Sequence, residues 1–284
     1  MTSQGQRKLR FITYLSPCER VEFFQTIMEY LEKKLSVESY LIYESRWEGP
    51  PEGRPDPFTS DEADVGFINS SSFLRLSHEK NPHVVHLPVG AVHVHDKNIS
   101  NQAVYYSDVI IHSDQEDKYD TFHDLKGCRW AYTDDNSVSG NLSTLSYLRS
   151  IGTNANFFGN TIRAGGHLKA IKMVYDHRVD AAAVSSVALN TFRAVHPEYS
   201  KKIHTLTSWG PLPIHPIVIN SRIPDEMKKS IEQHLLNMNK DNHWKKKLDN
   251  FGVVGFIPVS SSLYDHEVAL KDNTKNLSLG AVYY

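Results

Sequence analysis

The residues best suited to chemistry lie between Trp130 and Leu189, where hydroxyl groups gather at the start of a predicted helix. A short strand, RWAY, runs into the polar turn DDNSVSG, and the turn opens directly onto the helix NLSTLSYLRSIG. The first N–H groups of a helix have no internal partners and lie at the positive end of its dipole. Together with Ser137 and Ser139 they form a set of hydrogen-bond donors, which is an environment that favours an anion.

Two further segments repeat this arrangement along the chain. A strand, NTIRA, meets Gly165-Gly166-His167 at the start of the helix HLKAIKMVY, and the strand DAAAV leads into Ser185-Ser186 and a third helix, VALNTF. The first helix is predicted from apolar residues three apart and a glycine at the expected C-terminal cap, namely Leu142, Leu145, Leu148 and Gly152.

The rest of the chain alternates predicted strands and helices. The strand at residues 9–15 precedes Ser16-Pro17-Cys18-Glu19, which predicts a helix start with an N-cap, a proline at the first helical position and a closing glutamate. Further helix starts are predicted at Ser70-Ser71-Ser72 and at Pro224-Asp225-Glu226. This alternation favours an α/β fold with mainly parallel sheets.

Length, composition and charge restrict the function. The 284 residues suit one large domain or two modest lobes, and the formal net charge is -2. A nucleic-acid partner is not expected, because affinity for nucleic acid depends on clustered positive charge. Only Cys18 and Cys128 are present, so no disulfide framework is predicted.

The N-terminus and the motif content favour a soluble protein without a cofactor. The segment MTSQGQRKLR is polar and shows no signal-peptide pattern, and no apolar run approaches transmembrane length. A cytoplasmic location is therefore expected for the chain as given, and a periplasmic or extracellular one if a leader was removed. Walker, HExxH, GxSxG and GxGxxG motifs are all missing from the sequence.

Several linked blocks resemble a known family. VYYSDVIIHSD, FHDLKGCRWAY, DDNSVSGNLSTLSYL, NFFGNTIRAGGH, VDAAAVSSVAL and WGPLPIHPIVI occur in the order found in the phosphonate- and phosphite-binding proteins of bacterial ABC transporters. These are the PhnD-like members of the type II periplasmic binding protein superfamily. The resemblance covers roughly residues 8 to 240. It implies two α/β lobes that close on a small anionic ligand in a cleft, and an ABC permease as partner if the chain is exported.

The resemblance also implies lobe boundaries and site residues. Lobe 1 would comprise residues 1–108 and 216–284, and lobe 2 residues 109–215. The predicted ligand-binding residues are a tyrosine, the hydroxyl-bearing turn, a histidine at a helix start, two serines of the first lobe and a serine after a later strand: Tyr105, Ser137, Val138, Ser139, Gly140, His167, Ser70, Ser71 and Ser185. No catalytic residue, metal ligand or cofactor is predicted.

Three positions depart from the family pattern. Val138 replaces the hydroxyl residue usual between the two serines, and Gly166 replaces a serine before the histidine. Ser185 stands where many relatives have an aspartate, which can accept from a protonated oxygen or an ammonium group of the ligand. The departure at Ser185 therefore predicts a change in the ligand that is recognised.

Other interpretations of these residues stay open at this point. Ser137 and Ser139 could serve only as helix caps, and Tyr105 could pack in the core. The histidines His83, His86, His93 and His95 could hold a metal, although no acidic or cysteine partner lies at ligand spacing. A cytosolic enzyme on the same fold, with Asp134 or Asp135 and His167 as an acid/base pair, is the alternative function.

Overall fold

A computed structural model describes residues 8–44, 46, 49–51 and 53–280. Residues 1–7 and 281–284 lie outside the described residues. The predictions about a leader and about the ends of lobe 1 concern these residues. The strands are β1 (Lys8–Thr13), β2 (Glu38–Tyr43), β3 (Val65–Phe67), β4 (Val84–His86), β5 (Val89–His93), β6 (Val104–His112), β7 (Arg129–Tyr132), β8 (Asn160–Arg163), β9 (Ala181–Ser185), β10 (Ile203–Pro213), β11 (Ile217–Asn220) and β12 (Val253–Pro258). The α-helices are α1 (Val21–Leu35), α2 (Ser70–His78), α3 (Ser143–Ser150), α4 (His167–Tyr175), α5 (Ser186–Val195), α6 (Pro197–Ser200), α7 (Asp225–Asn237), α8 (Asn242–Asp249) and α9 (Asp265–Thr274).

The described residues form two compact units. Unit 1 takes its residues from Met1–Val104 and Pro213–Tyr264, and unit 2 from Tyr105–Leu212 and Asp265–Tyr284. The chain passes between the units after Val104, Leu212 and Tyr264, so α9 belongs to unit 2. The lobe boundaries implied by the resemblance stay a prediction. Arg149 of α3 donates from Nη1 to the carbonyl oxygen of Asn273 at 2.5 Å, and the Thr161 hydroxyl donates to the carbonyl oxygen of Leu279 at 2.6 Å.

Unit 1 is built on a five-stranded sheet with the order β2-β1-β3-β11-β4. β1 runs parallel to β2 and β3, whereas β11 runs antiparallel to β3 and β4. β5 and β12 form a separate antiparallel pair. Against the five-stranded sheet packs a cluster of buried side chains that includes Ile12, Phe58, Ile68 and Tyr264.

Unit 2 contains a second five-stranded sheet, with the order β10-β6-β9-β7-β8. β7 runs parallel to β8 and β9, and β6 runs antiparallel to β9 with Ser107 opposite Ser185. Its core includes Ile110, Ile171, Val184 and Leu189, from the sheet and from α4 and α5. The expected α/β fold with a parallel sheet core is confirmed in both units, with antiparallel strands added.

The predicted start of α1 is wrong by four residues. The helix begins at Val21 with Arg20 as its N-cap, and the Arg20 side chain makes no capping hydrogen bond. Residues 15–19 instead form a turn, closed by the N–H of Glu19 donating to the carbonyl oxygen of Leu15 at 2.9 Å. Serine and proline are also frequent in turns, so the pattern did not distinguish the two structures.

No helix formed by the described residues is both long and apolar enough to span a membrane.

Candidate anion-binding site

Three loops meet at one edge of the unit 2 sheet. β7, β8 and β9 are parallel neighbours, so their carboxyl ends lie side by side. The turn at residues 133–137 follows β7, Gly165 and Gly166 follow β8, and Ser185 ends β9 at the start of α5. In α/β sheets, ligands bind outside the carboxyl ends of the strands. The sheet therefore brings the turn, His167 and Ser185 to the position where a ligand is expected.

A wide helical turn precedes α3. Ser137 is its N-cap, and the Ser137 hydroxyl oxygen accepts from the N–H of Gly140 at 3.1 Å. Val138–Leu142 then form a single π-helical turn, in which the N–H of Leu142 donates to the carbonyl oxygen of Ser137 at 2.9 Å. Among the described residues, the N–H groups of Val138 and Ser139 donate to no hydrogen bond. Ser137 thus acts as a cap, while the N–H groups next to it retain the capacity to bind an anion.

A close contact between Gly140 and Thr133 determines the path of this turn. A Cβ atom added at Gly140 would lie 2.1 Å from Thr133 Oγ1 and 2.8 Å from Thr133 Cβ. The Thr133 side chain is fully buried, and its N–H donates to the Gly140 carbonyl oxygen at 3.3 Å. Only glycine fits at position 140 without displacing the strand end.

Buried hydroxyl groups of β6 form hydrogen bonds with the turn. The Ser107 hydroxyl donates to the Ser139 carbonyl oxygen at 2.6 Å. Tyr105 hydrogen bonds with the side chain of Ser139, and burial raises the pKa of Tyr105 far above its usual range, with the nearby Glu267 acting in the same direction. The Tyr105 hydroxyl therefore keeps its proton at neutral pH and can serve as a donor.

His167 is a buried, neutral imidazole with a defined tautomer. Its ring is 4% exposed, and its Nδ1 accepts from the N–H of Ser185 at 3.1 Å. Burial lowers the pKa of His167 to about 4, because desolvation disfavours the charged ring. Since Nδ1 accepts a hydrogen bond, the proton of the neutral ring lies on Nε2, which is a donor.

Two neighbouring serines differ in their partners. The Ser186 hydroxyl oxygen accepts from the N–H of Tyr106 at 3.0 Å, so this serine links α5 to β6. Ser185 is 2% exposed, and its hydroxyl oxygen has no hydrogen-bond partner among the described residues. An unsatisfied buried hydroxyl is costly, and a ligand atom would satisfy it.

The two serines predicted in the first lobe lie at the start of α2 in unit 1. Asn69, and not a serine, is the N-cap of this helix, and its side chain accepts from the N–H of Ser72 at 2.7 Å. Ser70 is buried and Ser71 is half-buried in the first turn. The other seven predicted site residues all belong to unit 2. Thr133, Ser107 and Glu267 were not predicted, because their contribution depends on tertiary contacts.

The aspartates of the alternative acid/base pair have other partners. Asp134 accepts from the N–H of Asn136 at 3.1 Å, and Asp135 lies 4.0 Å from Arg163 as an exposed ion pair. His167 in turn uses Nδ1 for the Ser185 N–H. Around the turn the structure therefore provides neutral donors suited to binding an anion.

A second group of buried polar side chains lies in unit 1. Glu19 and His93 are both more than nine-tenths buried, in a small pocket walled by apolar residues that include Phe23, Phe24 and Phe67. Oε1 of Glu19 is 3.9 Å from Nε2 of His93. Burial raises the pKa of Glu19 to about 8 and lowers that of His93 to about 4. Both side chains are therefore neutral at pH 7, since burying two charges costs more than their attraction returns at this distance.

Trp209 lies in a separate pocket of unit 2. Its ring stacks on Tyr147 at a centroid distance of 4.8 Å and lines a pocket of about 390 Å³ with residues of α3, β10 and α9. None of the predicted site residues lines this pocket. The pocket beside Trp209 and the turn before α3 are therefore two different sites in unit 2.

The group of side chains that could bind a metal does not include the four histidines noted in the sequence, His83, His86, His93 and His95. Of the described residues, His112, Asp114 and His177 form a group whose ligand atoms all lie within 4.8 Å of one another. His86 packs on Phe73 and Tyr264, and burial lowers its pKa to about 4. His93 faces Glu19.

The two α/β units have the fold of solute-binding proteins of the periplasmic-binding-protein type. The sequence matches the family of ABC transporter, phosphonate, periplasmic substrate-binding proteins over residues 9–264. The chain belongs to this family, and its role is to bind a small anionic solute without catalysis. The alternative of an enzyme on the same fold is not supported. No curated protein sequence matches the chain significantly.

Solved structures agree on the fold. A binding protein of an ABC phosphonate transporter from Pseudomonas aeruginosa is 17% identical, with a TM-score of 0.73 over 96% of this chain and 91% of that chain. PhnD1 from Prochlorococcus marinus, in complex with methylphosphonate, is 18% identical, with a TM-score of 0.73 over 95% and 99%. A protein from Xanthomonas citri bound to ATP is 14% identical, with a TM-score of 0.63 over 94% and 97%. At these identities the likeness concerns the fold alone.

Proposed function

We propose that unit 2 binds a small tetrahedral oxyanion of the phosphonate class at the turn before α3. The observation that carries this proposal is the convergence of neutral donors on one helix start. The N–H groups of Val138 and Ser139 are not used by the described residues, and the hydroxyl of Tyr105 and Nε2 of His167 keep their protons at neutral pH. Such donors bind the oxygens of an ionised phosphonate without competing for its protons.

Ser185 provides the selectivity in this proposal. Its buried hydroxyl can donate to a ligand oxygen, whereas an aspartate at the same position would accept from the ligand. A serine favours a fully ionised ligand without an ammonium group, such as methylphosphonate or phosphite. The aspartate usual in relatives favours a ligand that carries a proton or an ammonium group.

Calorimetry with a ligand panel tests the site. The panel comprises phosphate, phosphite, methylphosphonate, 2-aminoethylphosphonate, a sulfonate and ATP. For the ligand that binds, Ser139→Ala and His167→Ala are expected to weaken the affinity by about one to two decades, since a hydrogen bond to a charged group contributes about 1.5–3 kcal/mol. Ser150→Ala, at the exposed end of α3, is the matched control and should bind like the wild type. Wild-type affinity in both site variants would disprove the assignment, and preference for ATP would disprove the small-ligand class.

A pair of substitutions at Ser185 tests the selectivity. Ser185→Asp is expected to lose methylphosphonate, because a buried carboxylate repels an ionised ligand. The same variant should retain or gain affinity for 2-aminoethylphosphonate. The asparagine of Ser185→Asn has nearly the same shape as the aspartate but no charge, so this variant separates the effect of charge from the effect of size. If Ser185→Asp lost the same affinity for methylphosphonate and for 2-aminoethylphosphonate, this residue would not discriminate between the two ligands.

The family supports a proposal for the partner and the location. Its members are periplasmic substrate-binding proteins of ABC transporters. We infer that the chain delivers its ligand to an ABC permease when it is exported. Fractionation of cells that express the chain from its own gene, with an antibody against it, tests export. Recovery only in the cytoplasm would assign it to a role in which the bound ligand is not transported.

A further inference from the structure

A group of three metal-ligating side chains lies at the edge of the unit 2 sheet opposite the anion-binding turn. His112 ends β6, Asp114 lies in the 3-10 turn Ser113–Gln115, and His177 follows α4. β6 and β9 are antiparallel, with Ser107 opposite Ser185 at one end and Ile111 opposite Ala181 at the other. The group is therefore separate from the proposed oxyanion site.

The Asp114 carboxylate contacts both imidazoles. Oδ1 is 2.7 Å from Nδ1 of His112, and Oδ2 is 3.5 Å from Nε2 of His177. The two imidazole rings have centroids 4.0 Å apart, and their planes are inclined by 40°. A tetrahedral zinc ion at about 2.0–2.1 Å from its ligands separates the ligand atoms by roughly 3.3 Å. The 3.5 Å contact is close to this separation, and the 2.7 Å contact reaches it through a small rotation of the exposed Asp114 side chain.

The backbone holds the two histidines in place. His112 is buried at the strand end. Its Nδ1 accepts a hydrogen bond from the N–H of Asp114 at 3.3 Å, and a metal ion on this nitrogen would take the place of that bond. His177 adopts a left-handed conformation, with φ of 55°, and its N–H donates to the carbonyl oxygen of Val174 to close α4. It therefore lies at the negative end of the α4 dipole, where a cation is favoured.

We propose that His112, Asp114 and His177 bind a divalent metal ion of the zinc class, with a water molecule as fourth ligand. Two imidazoles are borderline ligands that suit zinc and its transition-metal neighbours, and zinc also accepts a carboxylate oxygen. Calcium and magnesium require mainly oxygen ligands, so neither ion should compete. The carboxylate offsets part of the charge of the ion, and the exposure of Asp114 and His177 gives the ion access from solvent.

Zinc titration of tag-free protein, stripped with a chelator and desalted, tests the proposal. Competition with a chromogenic chelator should give one zinc ion per chain, and Co²⁺ should give the visible absorption of a four-coordinate site. His177→Ala and Asp114→Asn should each weaken zinc binding by more than about tenfold, because one of three protein ligands is lost. A tenfold excess of Mg²⁺ or Ca²⁺ should leave the zinc affinity unchanged.

A matched control is present in the same unit. Nδ1 of His204 lies 3.3 Å from Oε1 of Glu116, a histidine–carboxylate pair of similar exposure that belongs to no three-ligand group among the described residues. His204→Ala should bind zinc like the wild type. Wild-type zinc affinity in His177→Ala, or an equal loss in His204→Ala, would overturn the assignment. Binding of methylphosphonate by His177→Ala should be unchanged, so the two proposals fail independently.

Discussion

Among the described residues, each unit has one histidine that is at most 5% exposed, His93 in unit 1 and His167 in unit 2, and the two rings have different surroundings. In unit 2, His167 accepts the N–H of Ser185 at Nδ1, which leaves a proton on Nε2. In unit 1, Nε2 of His93 lies 3.9 Å from the carboxyl group of Glu19, which itself keeps a proton. Burial lowers the pKa of both rings to about 4. Burial thus determines the charge of a histidine, whereas its hydrogen-bond partner determines what the neutral ring can do.

The largest effect expected from these rings is a loss of stability in mild acid. Both folded-state pKa values, about 4, lie below the unfolded value near 6.5, so the unfolded chain binds protons first. The contribution of each neutral ring to the free energy of unfolding is fully present above pH 6.5. It is lost as the pH falls through 4, and the loss is about 3 kcal/mol for each ring. Urea denaturation of wild type, His167→Phe and His93→Phe at pH steps from 7 to 4 measures this loss as the change in stability of each variant relative to wild type, because the other titrating groups are common to all three. A difference from wild type that stays constant over this range would show that the replaced ring is not buried as described.

Glu19→Gln is expected to have the next largest effect, with the opposite dependence on pH. The folded pKa of about 8 lies above the unfolded value, so the contribution of Glu19 to stability is present below pH 4.5 and is lost as the pH rises to 8. The stability of Glu19→Gln relative to wild type should therefore increase by about 4 kcal/mol from pH 4.5 to 8. Glu22→Gln, an exposed neighbour, should show no such dependence. A constant difference between Glu19→Gln and wild type would mean that Glu19 is ionised in the folded protein.

Size-matched substitutions of the two histidines should separate their roles in ligand binding. His167→Phe removes the Nε2 donor and is expected to weaken oxyanion binding by about one to two decades, or about 1.5–3 kcal/mol. His93→Phe should retain the wild-type affinity, because His93 belongs to unit 1 and the proposed site to unit 2. Calorimetry with methylphosphonate compares the two variants. An equal loss in both would remove the distinction and would place both histidines in contact with the ligand.

The smallest predicted effect is spectroscopic and changes no free energy. Long-range ¹H–¹⁵N correlation at pH 7 should show His167 as the neutral tautomer protonated at Nε2, because Nδ1 accepts from Ser185. The signal is assigned by its absence in His167→Phe. A proton on Nδ1 would contradict the hydrogen bond from the Ser185 N–H and the donor role proposed for Nε2.

Local patterns predicted much of the segment around the anion-binding turn. The hydroxyl-rich turn and the apolar spacing after it placed α3, and its three leucines are buried while Gly152 has the expected positive φ of 73°. The wide turn at Val138–Leu142 was not predicted. It accompanies the close contact of Thr133 with Gly140, and no local propensity contains a tertiary contact of this kind.

Other features depend on residues far apart in the chain. His112 and His177 are 65 positions apart and approach each other only because β6 and β9 pair in antiparallel register. Glu19 matched a helix-capping pattern, yet the chain turns before α1 and buries this carboxyl group. Ser70 and Ser71 were expected near a ligand, but the capping of α2 by Asn69 does not test that prediction.

The placement of α9 in unit 2 makes this unit discontinuous in sequence. A fragment that spans only residues 105–212 would lack Glu267 and Leu270, which are buried in the complete chain, as well as the hydrogen bond from Arg149 to Asn273. Circular permutation that joins residue 265 onward to residue 105 would be needed to express unit 2 as one segment. The last described residues belong to the unit that contains the candidate anion-binding turn and the first described residues to the other unit, so reporters fused to the two ends of the chain would report on different units.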